Sequence, residues 1–180
     1  MDYKDNLYNQ IKDSYGKLLY TYTAHWKLSD RCLKYDKWIK ILEITLCAIT
    51  ATGLFGYIIA DAQWLIIVGA VFSALSLAVT LLVKEMNWQE KSVKHKDTAD
   101  DLWVIREKYI SLLTDFPALS EKEIQEKRDA LLMMTSDIYK KALPTDNWSY
   151  KEAQTALKDN GEQFFCADEL DKLMPEHLRK

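Results

Sequence analysis

Prolines and glycines, the residues that most often interrupt helices, are few and unevenly spread in this 180-residue chain. The first of its three prolines is Pro117, and no glycine lies between Gly69 and Gly161. The sequence also lacks an internal repeat and the alternation of apolar and polar residues that indicates β-strands. Long helices without breakers are therefore the expected local structure, and the sequence predicts an all-α fold.

Cysteine is also scarce, and its spacing argues against a disulfide framework. Cys32, Cys47 and Cys166 make an odd number, with no CxxC pair and no metal-ligand spacing. This pattern favours a reducing compartment for the polar parts of the chain. His25 and Cys32 share one helix face, but on an apolar stripe a packed histidine and thiol are the favoured interpretation over a metal site. We expect no bound metal.

The sequence motifs of common enzyme classes are missing as well. There is no glycine-rich phosphate loop, no HExxH and no GxSxG. Asp97, Asp100 and Asp101 are better explained as a solvated helix face than as a carboxylate site. The net charge of −3 gives no overall attraction to nucleic acid. We expect no enzymatic activity, no catalytic residue, no cofactor and no direct nucleic-acid binding.

What the chain does have is two long apolar runs. Residues 64–83 contain no charged side chain, and 20 such residues rise about 30 Å as a helix, which matches the hydrocarbon thickness of a bilayer. Residues 39–60 are similar, with Lys40 and Glu43 only near the start, where the interface tolerates them. Residues 61–63 allow only a tight reversal. The sequence predicts a transmembrane hairpin over residues 39–83.

The flanking residues set the expected orientation. Basic residues flank both runs, namely Lys27, Arg31, Lys34, Lys37 and Lys40 before the first and Lys84, Lys91, Lys94 and Lys96 after the second. The loop between the runs has no lysine or arginine, so both termini are expected in the cytoplasm. Aromatic residues also mark the boundaries, with Tyr35, Trp38 and Trp88 at the inner face and Tyr57 and Trp64 at the outer one. A buried helical hairpin in a soluble protein is the alternative, but it does not explain the basic and aromatic flanks at both runs.

Helices are also predicted on both sides of the hairpin. One apolar stripe runs through residues 1–38 and comprises Leu7, Ile11, Tyr15, Leu18, Tyr22, Trp26, Ser29 and Leu33. A partner stripe follows the second span, which is expected to continue unbroken through residues 84–115; it comprises Val93, Leu102, Ile105, Tyr109 and Leu112. Antiparallel pairing about the loop would place Leu18 opposite Ile105 and Ile11 opposite Leu112. The hairpin is therefore expected to extend into a cytoplasmic helical stalk, followed by C-terminal cytoplasmic helices.

The C-terminal region, residues 116–180, carries helix-start signals. Ser120 with Glu123 forms a capping-box pattern, and Ser149 with Glu152 repeats it for a shorter helix that stops near Gly161. The helix after Ser120 is expected to end before Pro144. Its predicted buried face comprises Ile124, Leu131, Leu132, Ile138 and Tyr139. A last short helix is predicted at residues 168–173.

Small and hydroxylated residues recur on the faces of both spans. Candidates for close helix packing are Gly53, Gly56, Gly69 and Ala70, and the loop-centred register sets Gly53 near Ala70. Candidates for lining a water-filled path are Ser73, Ser76, Thr80, Thr45 and Thr52. Packing inside the hairpin accounts for part of this set. A water-lined path is the other interpretation, and it requires several copies because two helices cannot enclose a pore.

Two segments carry a resemblance to a known family. Residues 20–31 (YTYTAHWKLSDR) precede two spans joined by a short loop, and residues 84–95 (KEMNWQEKSVKH) continue the second span as a charged helix. The chain resembles the SLATT proteins, the SMODS- and SLOG-associating two-transmembrane effector domains of bacteria, over about residues 10–160. The resemblance implies an inner-membrane effector of antiphage or nucleotide-signalling systems that oligomerises and breaches the membrane, causing cell suicide. It implies no catalytic motif.

Three classes of function follow from these observations. A pore-forming effector is favoured by the hairpin, its hydroxylated faces and the resemblance. Its trigger is expected to come from a companion sensor or a nucleotide-producing enzyme, and its contacts are expected to be membrane lipid and further copies of the chain. A non-conducting anchor or adaptor that scaffolds a cytosolic partner is the alternative. A membrane-bound enzyme is the least supported.

Overall fold

The fold is known from a computed structural model, which describes residues 3–60, 63–165, 169, 172–175 and 177. Five α-helices follow one another, α1 (Tyr3–Ala60), α2 (Trp64–Met86), α3 (Trp88–Asp115), α4 (Glu121–Lys141) and α5 (Asn147–Gln154). A 3₁₀ turn (Phe116–Ala118) precedes α4, and a π-helical turn (Thr155–Asp159) follows α5. These described ranges contain no strand, and the prediction of an all-α fold with two helices long and apolar enough to cross a membrane is confirmed.

One residue interrupts the helix that was expected to run from the second span to Asp115. Asn87 adopts left-handed backbone angles, φ 44° and ψ 52°, and thereby separates α2 from α3. Asparagine tolerates this conformation better than most residues because its short side chain bonds locally. Here its side-chain amide donates a hydrogen bond to the Glu90 carboxylate. The prediction of an uninterrupted helix is therefore wrong at this position.

The chain divides into two compact units. We call residues 1–27 and 97–180 the core unit, and residues 28–96 the hairpin unit. The first contains most of the polar sequence, and the second contains both apolar runs. Each unit has its own pattern of burial.

The core unit is organised around one apolar cluster. Its buried members come from α1, α3, α4 and the turns that follow α3 and α5, and they are Leu7, Ile11, Leu18, Leu19, Tyr22, Ala99, Leu102, Ile105, Tyr109, Leu112, Phe116, Ile124, Leu131 and Leu157. Both predicted pairs, Leu18 with Ile105 and Ile11 with Leu112, lie within this cluster. Burial of this apolar surface is the main stabilising contribution to the unit. The pairing register itself stays a prediction.

The first predicted capping box is confirmed. The Glu123 backbone N–H donates to the Ser120 hydroxyl oxygen at 3.4 Å, and the Ser120 backbone N–H donates to the Glu123 carboxylate at 2.9 Å. The helix that it begins, α4, ends at Lys141, before Pro144 as predicted.

The second predicted capping box is wrong. Asp146 caps α5, and Ser149, which was expected to be the cap, is the third helical residue instead. The Ser149 N–H donates to Asp146 Oδ1 at 2.8 Å, and the Asp146 N–H donates to Ser149 Oγ at 3.2 Å. A carboxylate is as good a cap as a hydroxyl, so the pattern was satisfied one turn earlier. The short helix predicted at residues 168–173 lies largely outside the described residues.

The buried face of α4 also differs from the prediction. Leu132 and Tyr139 are exposed, whereas Thr135 is buried between Leu131 and Ile138 in the helical row. The Thr135 hydroxyl donates to the Leu131 carbonyl oxygen at 2.8 Å, so its polar group is satisfied inside its own helix. A threonine can therefore occupy a core position that hydrophobicity alone assigns to leucine.

Candidate functional site in the apolar hairpin

The hairpin unit carries its large apolar side chains on the outside. In the most apolar stretches of its two long helices only 11% and 6% of the residues are buried. Exposed side chains include Ile44, Phe55, Ile67 and Leu77, each more than 60% accessible. A core helix of a water-soluble protein would bury such residues, whereas lipid tails solvate them. The surface is that of a membrane hairpin.

The less exposed residues form one row on each helix. On α1 this row comprises Ile39, Glu43, Leu46, Thr50, Gly53 and Tyr57. On α2 it comprises Leu65, Gly69, Phe72, Ser76, Val79 and Val83. Both rows repeat at intervals of four and three residues, the spacing of closely packed antiparallel helices. We call these two rows the hairpin seam.

Glycine permits close backbone approach at one end of the seam. A methyl group placed on Gly53 would lie 3.3 Å from the carbonyl oxygen of Leu65 and 3.5 Å from the Cα of Gly69. A methyl group on Gly56 would meet the Leu65 side chain at 3.0 Å. The structure thus sets Gly53 against Gly69, one residue from the Ala70 that loop-centred counting gave, and Ala70 is exposed. Small residues at such crossings are a known device of membrane helix packing.

The hydroxyls proposed to line a path fall into three groups. Thr45 and Thr52 are exposed, and each donates to the carbonyl oxygen four residues earlier at 2.8 Å. Ser76 lies in the seam, with its Oγ 3.6 Å from the Sγ of Cys47 on α1. Ser73 and Thr80 are exposed, and within the described chain the structure gives their hydroxyls no hydrogen bond. Of these five described hydroxyls, only those of Ser73 and Thr80 are exposed without a hydrogen bond.

Glu43 is a seam residue whose position sequence reasoning missed. The sequence places it near the membrane interface, and the structure shows its side chain half-buried in the same row as Leu46 and Gly53. No ion pair or hydrogen bond to its carboxylate is found among the residues that the structure describes. The signal that could have found it is its spacing of three from Leu46. An ionisable residue inside a span is costly and for that reason a functional candidate.

Aromatic and basic side chains gather at the open end of the hairpin. The rings of Tyr35 and Trp88 lie 5.1 Å apart with an interplanar angle of 59°. The Lys91 ammonium sits 5.1 Å from the centre of the Trp88 ring, within range of a cation–π interaction. Lys40 pairs with Asp36 at 2.7 Å on the neighbouring turn of α1. Such a belt is typical of a membrane–water boundary.

On the side of this belt away from the apolar runs, a buried serine pair joins α1 to α3. The hydroxyl oxygens of Ser29 on α1 and Ser92 on α3 lie 3.0 Å apart, and Ser92 also donates to the Ser29 carbonyl oxygen at 3.0 Å. Both side chains are buried, as is Cys32 nearby in α1. In contrast, the predicted stripe residues Leu33 and Val93 are exposed. The stripe predictions are therefore wrong at these two positions, where small side chains occupy the contact.

The histidines of α1 and α3 are packed polar side chains. His25 and His95 are both buried, and each makes polar interactions within the protein. Within the described ranges, no group of three His, Cys, Asp or Glu side chains is arranged to hold a metal ion. These side chains are packed polar residues of the two units.

Comparison with known proteins gives a family assignment. No curated protein and no solved structure matches the chain. The family model described as SMODS and SLOG-associating 2TM effector domain family 4 matches residues 7–169. That match covers both units, and the two apolar helices are the two spans that the family description names. The chain therefore belongs to the SMODS and SLOG-associating 2TM effector domain family 4, as its resemblance to the SLATT proteins predicted, and it is a membrane protein of that effector class.

Proposed function

We propose that this protein assembles into an oligomer in the bacterial inner membrane and permeabilises that membrane as an antiphage effector. The observation that carries the proposal is the unsatisfied pair of hydroxyls on the outside of the hairpin, Ser73 and Thr80. They lie seven positions apart on α2 and share one helix face. In hydrocarbon, an unsatisfied hydroxyl is unfavourable, and these two do not bond to their own helix as Thr45 and Thr52 do. Water or a second copy of the chain can serve as their partner.

An oligomer supplies both kinds of partner, water and further copies of the chain. Several hairpins arranged around an axis can turn the Ser73 and Thr80 face inward, while Ile44, Phe55 and Ile67 remain in contact with lipid. Water then hydrates the hydroxyls along the inner wall. The proposed lesion is therefore a water-lined path.

The test is an ion-flux measurement on reconstituted protein with matched substitutions. Thr80→Val together with Ser73→Ala removes the two outward hydroxyls with little change of shape. Thr52→Val removes one hydroxyl that is already bonded to its own helix at 2.8 Å. We expect the first variant to lose most of its dye leak and ion conductance while its insertion and oligomer size stay unchanged. The Thr52 variant should conduct as the parent does.

Two results would contradict the proposal. Normal conductance from the Ser73 and Thr80 variant would show that these hydroxyls do not line the path. Absence of any flux from the parent oligomer, together with normal membrane potential in overexpressing cells, would remove the permeabilising function altogether. A triple leucine variant at Ser73, Ser76 and Thr80 extends the test to the seam hydroxyl.

The proposed location includes a definite orientation, with both termini in the cytoplasm. The basic flanks of the two spans support it, because lysine and arginine accumulate in the cytoplasmic segments next to membrane spans. A tag inserted in the loop at residues 61–63 should be reached by an impermeant reagent from outside, and a reporter fused at residue 180 should be active only if it functions in the cytoplasm. A loop tag protected from the reagent until the membrane is opened would overturn this orientation.

The trigger is proposed to come from a companion sensor or nucleotide-producing enzyme. The family description names association with SMODS and SLOG, and we propose that such a partner switches this chain from a resting to a conducting assembly. Coexpression with the neighbouring gene product should convert a tolerated level of this protein into a depolarising one. Unchanged membrane potential with every neighbouring product would contradict a triggered mechanism.

A non-conducting anchor is the second candidate, and one observation favours it. Leu132, Met133 and Met134 are consecutive exposed apolar residues on α4, 61%, 70% and 43% accessible. A patch of this kind is suited to a cytosolic partner, and methionine adapts to varied surfaces. We propose no catalytic activity for either candidate. Depolarisation on overexpression separates them, since an anchor leaves the membrane potential intact.

A further inference from the structure

An apolar groove opens on the hairpin unit just inside the aromatic belt. Its volume is about 370 Å³, within the range of about 300–1,000 Å³ that is usual for ligand sites. The lining includes Tyr35, Leu42, Val79, Leu82, Met86 and Trp88, and no lining side chain is charged. The groove therefore suits a hydrocarbon chain.

A cation stands at the rim of this groove. Lys91 is exposed, and its ammonium lies over the ring of Trp88, which itself forms part of the groove wall. Lys40 is paired with Asp36, and Lys94 is paired with Glu90. Among the described residues the structure gives Lys91 no carboxylate partner, so its charge is available to an external anion.

The helix break at Asn87 lies in sequence between two residues that line the groove and a few residues before Lys91. Met86 ends α2, Trp88 begins α3, and both side chains line the groove. Lys91 follows Trp88 by one helical turn, and the helical bond from its N–H to the Asn87 carbonyl oxygen is 3.1 Å. The left-handed residue thus lies between a hydrocarbon-lined wall and a basic rim.

We propose that this groove binds one anionic phospholipid, with an acyl chain against Leu42 and Leu82 and the phosphate at Lys91. The amphipathic arrangement argues for a lipid, since a chain-binding wall ends at an aromatic and basic rim. The unpaired charge of Lys91 argues for an anionic headgroup over a zwitterionic one. The proposal rests on the membrane location of the protein and does not require that the oligomer conduct ions.

The experiment is lipid titration of the full-length protein in detergent, read by native mass spectrometry. Phosphatidylglycerol and phosphatidylcholine with identical acyl chains are compared, so that only the headgroup differs. Lys91→Gln is matched with Lys96→Gln, which removes the same charge from another exposed position of α3. Leu82→Trp fills the groove, and Leu81→Trp adds the same bulk to an exposed neighbour that does not line it.

We expect the parent to bind phosphatidylglycerol more tightly than phosphatidylcholine. Lys91→Gln should weaken phosphatidylglycerol binding about fivefold, the factor that corresponds to about 1 kcal/mol per surface lysine, and should leave phosphatidylcholine binding unchanged. Lys96→Gln should change neither. Leu82→Trp should weaken binding of both lipids, whereas Leu81→Trp should not.

Four outcomes would overturn the proposal. Equal affinity for the two lipids, or equal effects of the two lysine variants, would reduce the groove to ordinary annular contact. Equal effects of the two tryptophan variants would show that the groove is not where the lipid binds. A delipidated dimer that is lost only in Leu82→Trp would assign the groove to a second copy of the chain. Because the readout is bound lipid, none of these results depends on whether the protein opens a pore.

Discussion

The two units of this chain reverse the usual relation between polarity and burial. In the core unit the buried residues are chiefly leucine, isoleucine and tyrosine, and α4 exposes its charged side chains. In the hairpin unit the exposed residues are leucine, isoleucine and phenylalanine, while glycine and serine occupy contacts between helices. This difference is what a lipid-exposed hairpin unit and a water-exposed core unit would show. Water drives large apolar groups inward, whereas lipid gives them no reason to move and leaves packing and hydrogen bonds to join the helices.

The largest predicted difference in stability between the units comes from replacing one leucine with alanine in each. Leu102 is fully buried in the core unit, and Leu77 is 63% exposed on the hairpin. Leu102→Ala should lower the free energy of unfolding of the core unit by about 2–5 kcal/mol, because it removes buried apolar surface and leaves a cavity. Leu77→Ala should stay within about 0.5 kcal/mol, as for other substitutions that create no cavity.

Hydrogen exchange on the protein in lipid nanodiscs measures both effects. The α3 amides around Leu102 report the core unit, and the α2 amides around Leu77 report the hairpin. Equal destabilisation by the two substitutions would contradict the exposure of Leu77 on the hairpin, because truncating a side chain that faces the surrounding solvent leaves no cavity.

Crowding the hairpin seam should have the next largest effect. Gly53→Leu forces a side chain against the backbone of Leu65 and Gly69, and overpacking of this kind costs about 1–3 kcal/mol. Gly16→Leu is the matched control, because no atom lies within 4 Å of a methyl group placed there on the same helix. The Gly53 variant should lose hairpin pairing, and the Gly16 variant should not.

A disulfide provides the readout for that pair of variants. Ser76→Cys places a second thiol beside native Cys47, whose Sγ lies 3.6 Å from the Ser76 hydroxyl oxygen. Oxidation in lipid should then crosslink α1 to α2 in high yield within one chain. Retention of the full crosslink yield in the Gly53→Leu background would mean that the seam does not depend on this glycine.

The sequence could predict the features that depend on local chemistry, and it was less able to predict which helix faces are buried. Both spans follow from the length of uncharged sequence, and the α4 cap follows from Ser120 and Glu123, because each depends on local chemistry alone. The buried faces were harder, since the same apolar pattern points inward in water and outward in lipid. Leu33 and Val93 were therefore assigned to a contact that Cys32 and Ser92 occupy.

The break at Asn87 had no local signal either. Asparagine is compatible with both helical and left-handed angles, and neither proline nor glycine marks the position. The α5 cap was ambiguous for another reason, because Asp146 and Ser149 are both good N-cap residues and only the first caps the helix. The candidate site was predictable in residue type only: the hydroxyls could be named, but their division between Ser76 in the seam and Ser73 and Thr80 outside it depends on the register of two helices.

The buried serine pair sharpens the comparison at the level of single hydrogen bonds. Ser92→Ala leaves the buried Ser29 hydroxyl without its partner and should cost about 1–3 kcal/mol. Ser29→Ala should cost less, because the Ser92 hydroxyl keeps its hydrogen bond to the carbonyl oxygen of residue 29. The double variant should be less destabilised than the sum of the two, because no stranded hydroxyl remains. Unfolding free energies of the four proteins in one detergent give the coupling. Strict additivity would show that the two serines do not interact.

The smallest predicted effect is electrostatic and belongs to the core unit. Hydrogen bonds from the Ser120 hydroxyl and backbone N–H lower the pKa of Glu123 below its ordinary value of 4.5. A lowered carboxyl pKa in the folded state stabilises the protein above pH 4.5, and that contribution is lost as the pH falls through the folded-state pKa. Because Glu123 is fully exposed, solvent screening keeps the effect small.

Hydrogen exchange of the first turn of α4 between pH 6 and pH 3 isolates this contribution. The parent should lose protection there on acidification, whereas Ser120→Ala, which removes the largest cause of the lowered pKa, should show a flatter profile. Glu126→Ala removes another exposed glutamate of the same helix and should keep the parent's pH dependence. Loss of protection throughout α2 over the same range would contradict the comparison, because the hairpin is expected to be stabilised by packing and lipid and not by this titrating cap.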